Sequence, residues 1–364
     1  MKKFELLLSL AILTLWGCSS TCMEYRSATT AARSEKNLKR AEKWALEALE
    51  APECNPDQDA YAPYFLATEV YAKQKNYIKM AKMLTLAEAR NPDQLLENPF
   101  KLGNEQIKTI QQGVNAHRDV EWQEIYNRAV SINNDGNIEK AKETFELAIL
   151  INPNRAENYY SLASIFIQSN DMEMALNTVR IGIGIDNKNA SLYQMEGDLL
   201  AQKNNLLLAE KSYLQAIRYA KNPGPIKRKL IFIYIDLGNN QKAINYSNAL
   251  LDEYPNDPDL YYNVGVLYQR MAAEQYDANI EEFNNLSKNI KAERLKELYL
   301  SYKKAREYAY SSRDYFLQAS DLEEEENTSS MSAAKEMKSL MKKIDEIFIP
   351  SIKKTAKTAG VELN

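Results

Sequence analysis

A gapless internal period of 34 residues runs over residues 156–257, three blocks long, and few folds are compatible with it. The fourth place of the blocks holds Tyr159, Tyr193 and Lys227, the eighth Ala163, Gly197 and Ile231, and the eleventh Phe166, Leu200 and Tyr234. Turn-forming pairs follow, Asn170-Asp171, Asn204-Asn205 and Gly238-Asn239, and then Ala175, Ala209 and Ala243 fill the twentieth place without exception. Val179, Tyr213 and Ser247 come next, then Gly182, Ala216 and Leu250. Apolar places three and four apart on either side of a short polar turn describe two amphipathic helices folded back on each other.

The small residues at places 8 and 20 have a physical purpose, because antiparallel helices joined by a short turn approach closely only where a side chain is nearly absent. The large ones at places 4, 11 and 24 fill the space between hairpins, so one unit alone leaves apolar surface wet and neighbours must stack. The pattern resembles the tetratricopeptide repeat (TPR) family, whose unit has large, small and aromatic residues at these places and often a proline near place 32. That resemblance implies an all-α solenoid of helical hairpins, about six to seven of them, whose function is binding. Strand signals agree: valine is scarce, alternating apolar runs are absent, and Gly and Pro number only 11 each.

Around the three blocks the register extends in both directions. Residues 122–155 fit as a further unit through Ile125, Ala129, Ile132, Gly136-Asn137, Ala141, Phe145, Ala148 and Pro153, making 122–257 a central four-repeat array. Residues 18–94 read as N-terminal hairpins, with Tyr25, Ala32, Ala41, Ala45 and Ala48 in the first and Tyr64, Thr68, Tyr71, Tyr77, Leu84, Ala87 and Pro92 in the second, where Met80 breaks the small-residue rule. Residues 95–121 interrupt the register and read as an inter-repeat helical connection, punctuated by Asn98-Pro99 and Gly103-Asn104. At Pro258 a last repeat opens with Tyr261, Val264, Gly265 and Tyr268, but no turn follows in register. Residues 258–348 are therefore expected to form an elongated, degenerate hairpin, with helices to about Asn285 and over about 291–320, and then an amphipathic capping helix carrying Met337, Leu340, Met341, Ile344 and Ile347. Residues 349–364 read as a flexible tail.

The first residues have the pattern of a targeting segment: Lys2 and Lys3, an apolar run from Phe4 to Trp16, then Gly17-Cys18. Leu15-Trp16-Gly17-Cys18 resembles the lipobox of bacterial lipoproteins, which implies removal of residues 1–17 and lipidation of Cys18. Ser19 in place of aspartate implies sorting to the outer membrane. The residues also admit a plain secretory signal or an uncleaved anchor. Cys22 and Cys54 then remain, 32 residues apart at places 1 and 33 of the first repeat, the open ends of two antiparallel helices. A disulfide needs Cα atoms within about 7 Å, and a bridge and two free thiols both stay open.

Residue types that carry chemistry are sparse. The single histidine, His117, rules out a multi-His metal site within one chain and reads as a solvated helix residue. No glycine-rich phosphate loop or nucleophile motif occurs, so no catalytic residue, metal or cofactor is assigned. The formal net charge of −4 comes without a basic patch, which argues against nucleic acid.

In TPR proteins places 2, 5, 9, 12 and 13 of each first helix face the concave surface. By that resemblance the partner-binding residues here are Tyr126, Asn133, Tyr160, Gln168, Gln194, Asp198, Arg228, Phe232, Asp236, Tyr262, Gln269 and Arg270. Aromatics would anchor a protein or peptide partner and the polar groups pair with its backbone. The expected function is a lipid-anchored, periplasm-facing scaffold for protein–protein interactions in the bacterial cell envelope. A ligand-binding accessory of an envelope enzyme or transporter, holding a peptide, glycan or glycolipid, is the alternative.

Overall fold

The computed structural model describes residues 22–286, 290–323 and 328–363. They divide into two compact units, one up to Thr178 and one from Val179. The first holds α1 (Met23–Arg33), α2 (Leu38–Ala48), α3 (Tyr61–Phe65) continued by a π-helical turn over Leu66–Tyr71, and α4 (Tyr77–Arg90). A two-stranded hairpin follows, β1 (Leu95–Leu102) and β2 (Glu105–Thr109), then α5 (Ile110–Asn134), α6 (Ile138–Ile151) and α7 (Ala156–Gln168). Helix α8 (Met172–Ile185) straddles the division. In the second unit lie α9 (Ala190–Gln202), α10 (Leu206–Tyr219), α11 (Gly224–Asp236), α12 (Asn240–Glu253) and α13 (Pro258–Asp277). Short α14 (Ile280–Asn284), long α15 (Ala292–Leu322), α16 (Ser329–Lys343) with a π-helical end, and α17 (Ile349–Thr358) complete it. The class is an all-α, TPR-type solenoid.

The six hairpin turns from Lys36 to Asn239 use the same two-residue device. Place 15 is left-handed in Lys36, Lys75, Gly136, Asn170, Asn204 and Gly238, with φ between 52° and 79°. Place 16 is always Asn or Asp, and Asn37, Asn76, Asn137, Asp171 and Asn239 each accept a hydrogen bond from the backbone N–H three residues on. From Asn76 to Asn239 the place-16 N–H also donates back to the carbonyl of place 11, as in Asp171 to Phe166 at 2.8 Å and Asn239 to Tyr234 at 2.9 Å. The first helix is thus closed by a Schellman-type bond and the second opened by a side-chain cap, leaving few backbone groups unsatisfied at the bend.

The small residue at place 8 admits a ring. A Cβ built on Gly197 would stand 2.7 Å from the ring of Tyr213, and one on Gly265 would stand 2.6 Å from Phe316. Tyr213 is place 24 of its own repeat. Phe316, in contrast, lies on α15, far beyond the place the register allots. Ser312, Phe316 and Ala319, all fully buried, keep the four- and three-residue steps of places 20, 24 and 27, and the Ser312 hydroxyl donates to the Gly265 carbonyl at 2.8 Å. The last repeat is therefore complete, its second half displaced along α15 by the insertion that holds α14.

Two expectations are corrected at the junctions. Residues 95–121 are not a helical connection throughout: β1 and β2 pair antiparallel, Leu102 opposite Glu105, around Gly103, whose φ of 59° suits the first position of a two-residue turn. Helical composition in residues 105–109 yields because Thr109 caps α5 in a capping box with Gln112, which starts the helix at Ile110, and because Leu96 and Ile107 bury beside α5. Residues 349–358 do not form a loose tail. Pro350 sits in the first turn of α17, where proline is tolerated, and Ile352 and Ala356 are buried against Leu295, Tyr299 and Phe348. Among the described residues no helix is long and apolar enough to cross a membrane.

The displaced repeat makes a clear expectation. Gly265→Ala should lower stability by about 1–3 kcal/mol through overlap with Phe316, although alanine is the better helix former by about 1 kcal/mol. An unchanged urea midpoint would show that Phe316 does not occupy the gap.

Candidate functional site

The first helices α5, α7, α9, α11 and α13 carry the residues expected to meet a partner, and their side chains fall into two kinds. In the first unit Tyr126 is half-buried, its ring packed on Trp122 at 5.2 Å and Phe145 at 5.7 Å, its hydroxyl 2.9 Å from Ser161 Oγ. It joins two repeats and is not a free anchor. Beside it the Trp122 indole N–H donates to Asn158 Oδ1 at 2.7 Å, and the fully buried Asn158 donates in turn to the Asn152 carbonyl. Asn133 is half-buried with no hydrogen-bond partner at Oδ1. Tyr160 is 40% exposed and Gln168 is exposed.

The charged members of the second unit are committed to neighbouring repeats. Asp198 accepts the Tyr213 hydroxyl at 2.6 Å and holds Lys229 Nζ at 2.7 Å from both oxygens. Burial, and then this carboxylate, raise the Tyr213 phenol above its ordinary value, so it remains a donor. Arg228 pairs with Asp257, which also caps α13 through Leu260 N. Arg270 pairs with Asp236 at 2.7 Å across one period. Tyr262 lies against Phe316 at 5.3 Å, in the core of the last repeat. Gln194 and Gln269 are half-buried, and Phe232 is 38% exposed.

Sequence reasoning took these charged side chains for partner contacts because place alone marks the face. Their cross-repeat mates stand about one period away, and no local pattern announces them. Of the aromatics proposed as anchors, Tyr126 and Tyr262 serve packing, while Tyr160 and Phe232 keep open faces.

Elsewhere, Cys22 and Cys54 are bonded, with Cα atoms 4.6 Å apart. Cys22 also stands at the N-terminus of α1 and accepts from Tyr25 N. Cys18 lies outside the described residues. His117 is not a solvated helix residue: its ring packs on Tyr64 at 5.9 Å and Phe100 at 6.0 Å, and burial holds its pKa below the ordinary imidazole value. The β-hairpin, which composition concealed, is what brings Phe100 there.

The tetratricopeptide repeat profile matches residues 133–155 and 190–223, the second match being one whole block of the period. Those two segments, the end of α5 with α6 and the α9–α10 hairpin, are similar to tetratricopeptide repeats. Among solved structures, a TPR protein from Parabacteroides merdae is similar at 16% identity and a TM-score of 0.38, over 79% of this chain and 99% of that one. The pilF protein of Pseudomonas aeruginosa is similar at 18% identity and a TM-score of 0.38, over 60% and 99%. A MamA protein reaches 15% identity and a TM-score of 0.40, over 57% and 93%. No curated protein matches the chain in sequence.

The two kinds of charged residue in these TPR hairpins should respond differently to truncation. Asp198→Ala strands a buried phenol and a lysine and should cost about 1–3 kcal/mol, whereas Asp236→Ala breaks an exposed pair and should cost about 0.5 kcal/mol or less. Urea midpoints of the two variants check this, and equal losses would mean that Asp198 is no more than a surface charge.

Proposed function

We propose that the chain is a TPR scaffold for protein–protein interactions, anchored by lipid at Cys18, facing the periplasm and working in the bacterial cell envelope at the outer membrane. The observation that carries the binding role is the state of the first-helix side chains. Where hydrogen bonds and ion pairs engage Tyr126, Asp198, Arg228, Asp236 and Arg270, the rings of Tyr160 and Phe232 are left open on α7 and α11. Exposed aromatic faces suit a protein or peptide partner, because such rings supply large contact area at small entropic cost. Support for the location comes from the amino-terminal pattern ending in Gly17-Cys18, and from the Cys22–Cys54 bond, which belongs to an oxidising compartment. The reading assigns no catalytic step, no cofactor and no contact with nucleic acid.

Two measurements test it. Tyr160→Ala with Phe232→Ala should abolish capture of cross-linked partner protein while circular dichroism stays unchanged. Retained capture would remove the assignment of these rings. Cys18→Ser should lose acyl label and leave the membrane fraction, because two or three acyl chains hold a protein stably where one does not. Full-length variant still bound after a high-salt wash would overturn the lipid anchor in favour of an uncleaved one.

A further inference from the structure

The first unit contains a cavity that the TPR face does not use. It measures about 120 Å³ and is walled by the rings of Tyr25, Tyr61, Tyr64, Phe65, Phe100 and His117, contributed by α1, α3, β1 and α5. Tyr25 and Tyr61 stack at 6.0 Å, and Phe65 meets Tyr25 edge-on at 5.8 Å. Tyr64 reaches past the cavity to α5, where Gly113 admits its tip: a Cβ there would lie 2.4 Å from the Tyr64 oxygen. That hydroxyl is buried and has no hydrogen-bond partner.

Charge enters at the rim. Glu69 and Glu97 line the cavity, as does Arg33, and an open basin sharing Tyr25, Tyr61 and Glu97 adds Asp59 and Glu53 opposite Arg26. Glu97 accepts the Tyr25 hydroxyl at 2.9 Å, and Glu69 pairs with the exposed Lys73 at 2.7 Å. Asp59 is held by Gln94 and the Tyr61 N–H. In the lining of the ring-walled hollow itself two carboxylates, Glu69 and Glu97, stand against the one guanidinium of Arg33, and burial holds the imidazole of His117 below its ordinary pKa, so that it adds no positive charge at neutral pH. Ring faces are electronegative, and a cation over them gains about 0.5–2 kcal/mol depending on desolvation. A dry cavity of roughly 150 Å³ holds a molecule the size of benzene, so the space here suits one short alkyl chain with its charged head.

We propose that this cavity is a binding site for an alkylammonium group, the tetramethylene-ammonium end of a lysine side chain or of a free organic amine, with its chain among Tyr61, Tyr64 and Phe100 and its charge between Glu69 and Glu97. Neither Tyr160 nor Phe232 lines the site, so its failure and the failure of the partner-binding role are read separately.

Calorimetry on the purified full chain tests it with four probes: n-pentylamine and its neutral isostere 1-pentanol, and acetyl-lysine amide and its neutral isostere acetyl-norleucine amide. At least one ammonium probe should bind about tenfold more tightly than its isostere, the weight of one desolvated cation–ring contact. Tighter binding of the lysine derivative than of pentylamine would assign the site to a protein side chain, and the reverse to a free amine. Glu69→Gln with Glu97→Gln keeps the acceptor for Tyr25 and should retain the wild-type melting temperature while losing about tenfold in affinity. Phe100→Leu, which keeps apolar volume but removes a ring face, should weaken the ammonium probe and leave the neutral one unchanged. Equal binding of charged and neutral probes, or no binding of any at millimolar concentration, would overturn the proposal.

Discussion

Two helices joined by a two-residue turn can close only to the distance that their smallest facing side chains allow. In the α9–α10 hairpin, and likewise in two contacts between helices that no such turn joins, that limit is set by glycine against a ring. Gly197 receives Tyr213, Gly265 receives Phe316, and Gly113 receives Tyr64, each at a distance that a methyl group would forbid. Glycine inside a helix costs about 1 kcal/mol relative to alanine. Burial of one aromatic side chain returns a few kcal/mol on area alone, so the exchange favours the tight pair. What remains exposed after each hairpin closes is a set of apolar places that only another hairpin can cover, which is why the repeats are not independent domains.

The polar residues follow from that packing. Once adjacent first helices stand side by side, Asp198 meets Lys229, Arg228 meets Asp257, and Asp236 meets Arg270. Individually such partly exposed pairs contribute little. They engage those charges between neighbouring repeats, while Tyr160 and Phe232 keep exposed aromatic faces for the binding role proposed for the chain.

The ends of a repeat array need separate devices, because a terminal hairpin has one neighbour instead of two. At the amino-terminal end the alanine-rich pair α1 and α2 offers little apolar volume, and a covalent bond between places 1 and 33 compensates. Closing a loop of that length stabilises by roughly 3–4 kcal/mol in the chain-entropy account. At the carboxy-terminal end α16 and α17 lie along α15, and Tyr276, Tyr302 and Phe348 interlock at 4.7–5.7 Å.

The amino-acid sequence by itself determined the hairpins, their period and their bends. A small residue at place 20 and Asn or Asp at place 16 act through atoms within a turn or two along the chain, and such short-range patterns survive in a linear reading. It also placed Cys22 and Cys54 at the open ends of one hairpin. Tertiary structure alone decided which polar residues on the first helices are free, because their mates stand about one period away and are matched only after stacking. It decided that Phe316, and not a residue in register, fills the space above Gly265, since an insertion leaves helical propensity unchanged while moving the packing residues along the chain. Finally it drew Phe100 and His117 together into a ring-lined cavity: β-pairing around Gly103 overrode a helical composition there, and the burial of Leu96 and Ile107 against α5 is a long-range term that composition does not contain.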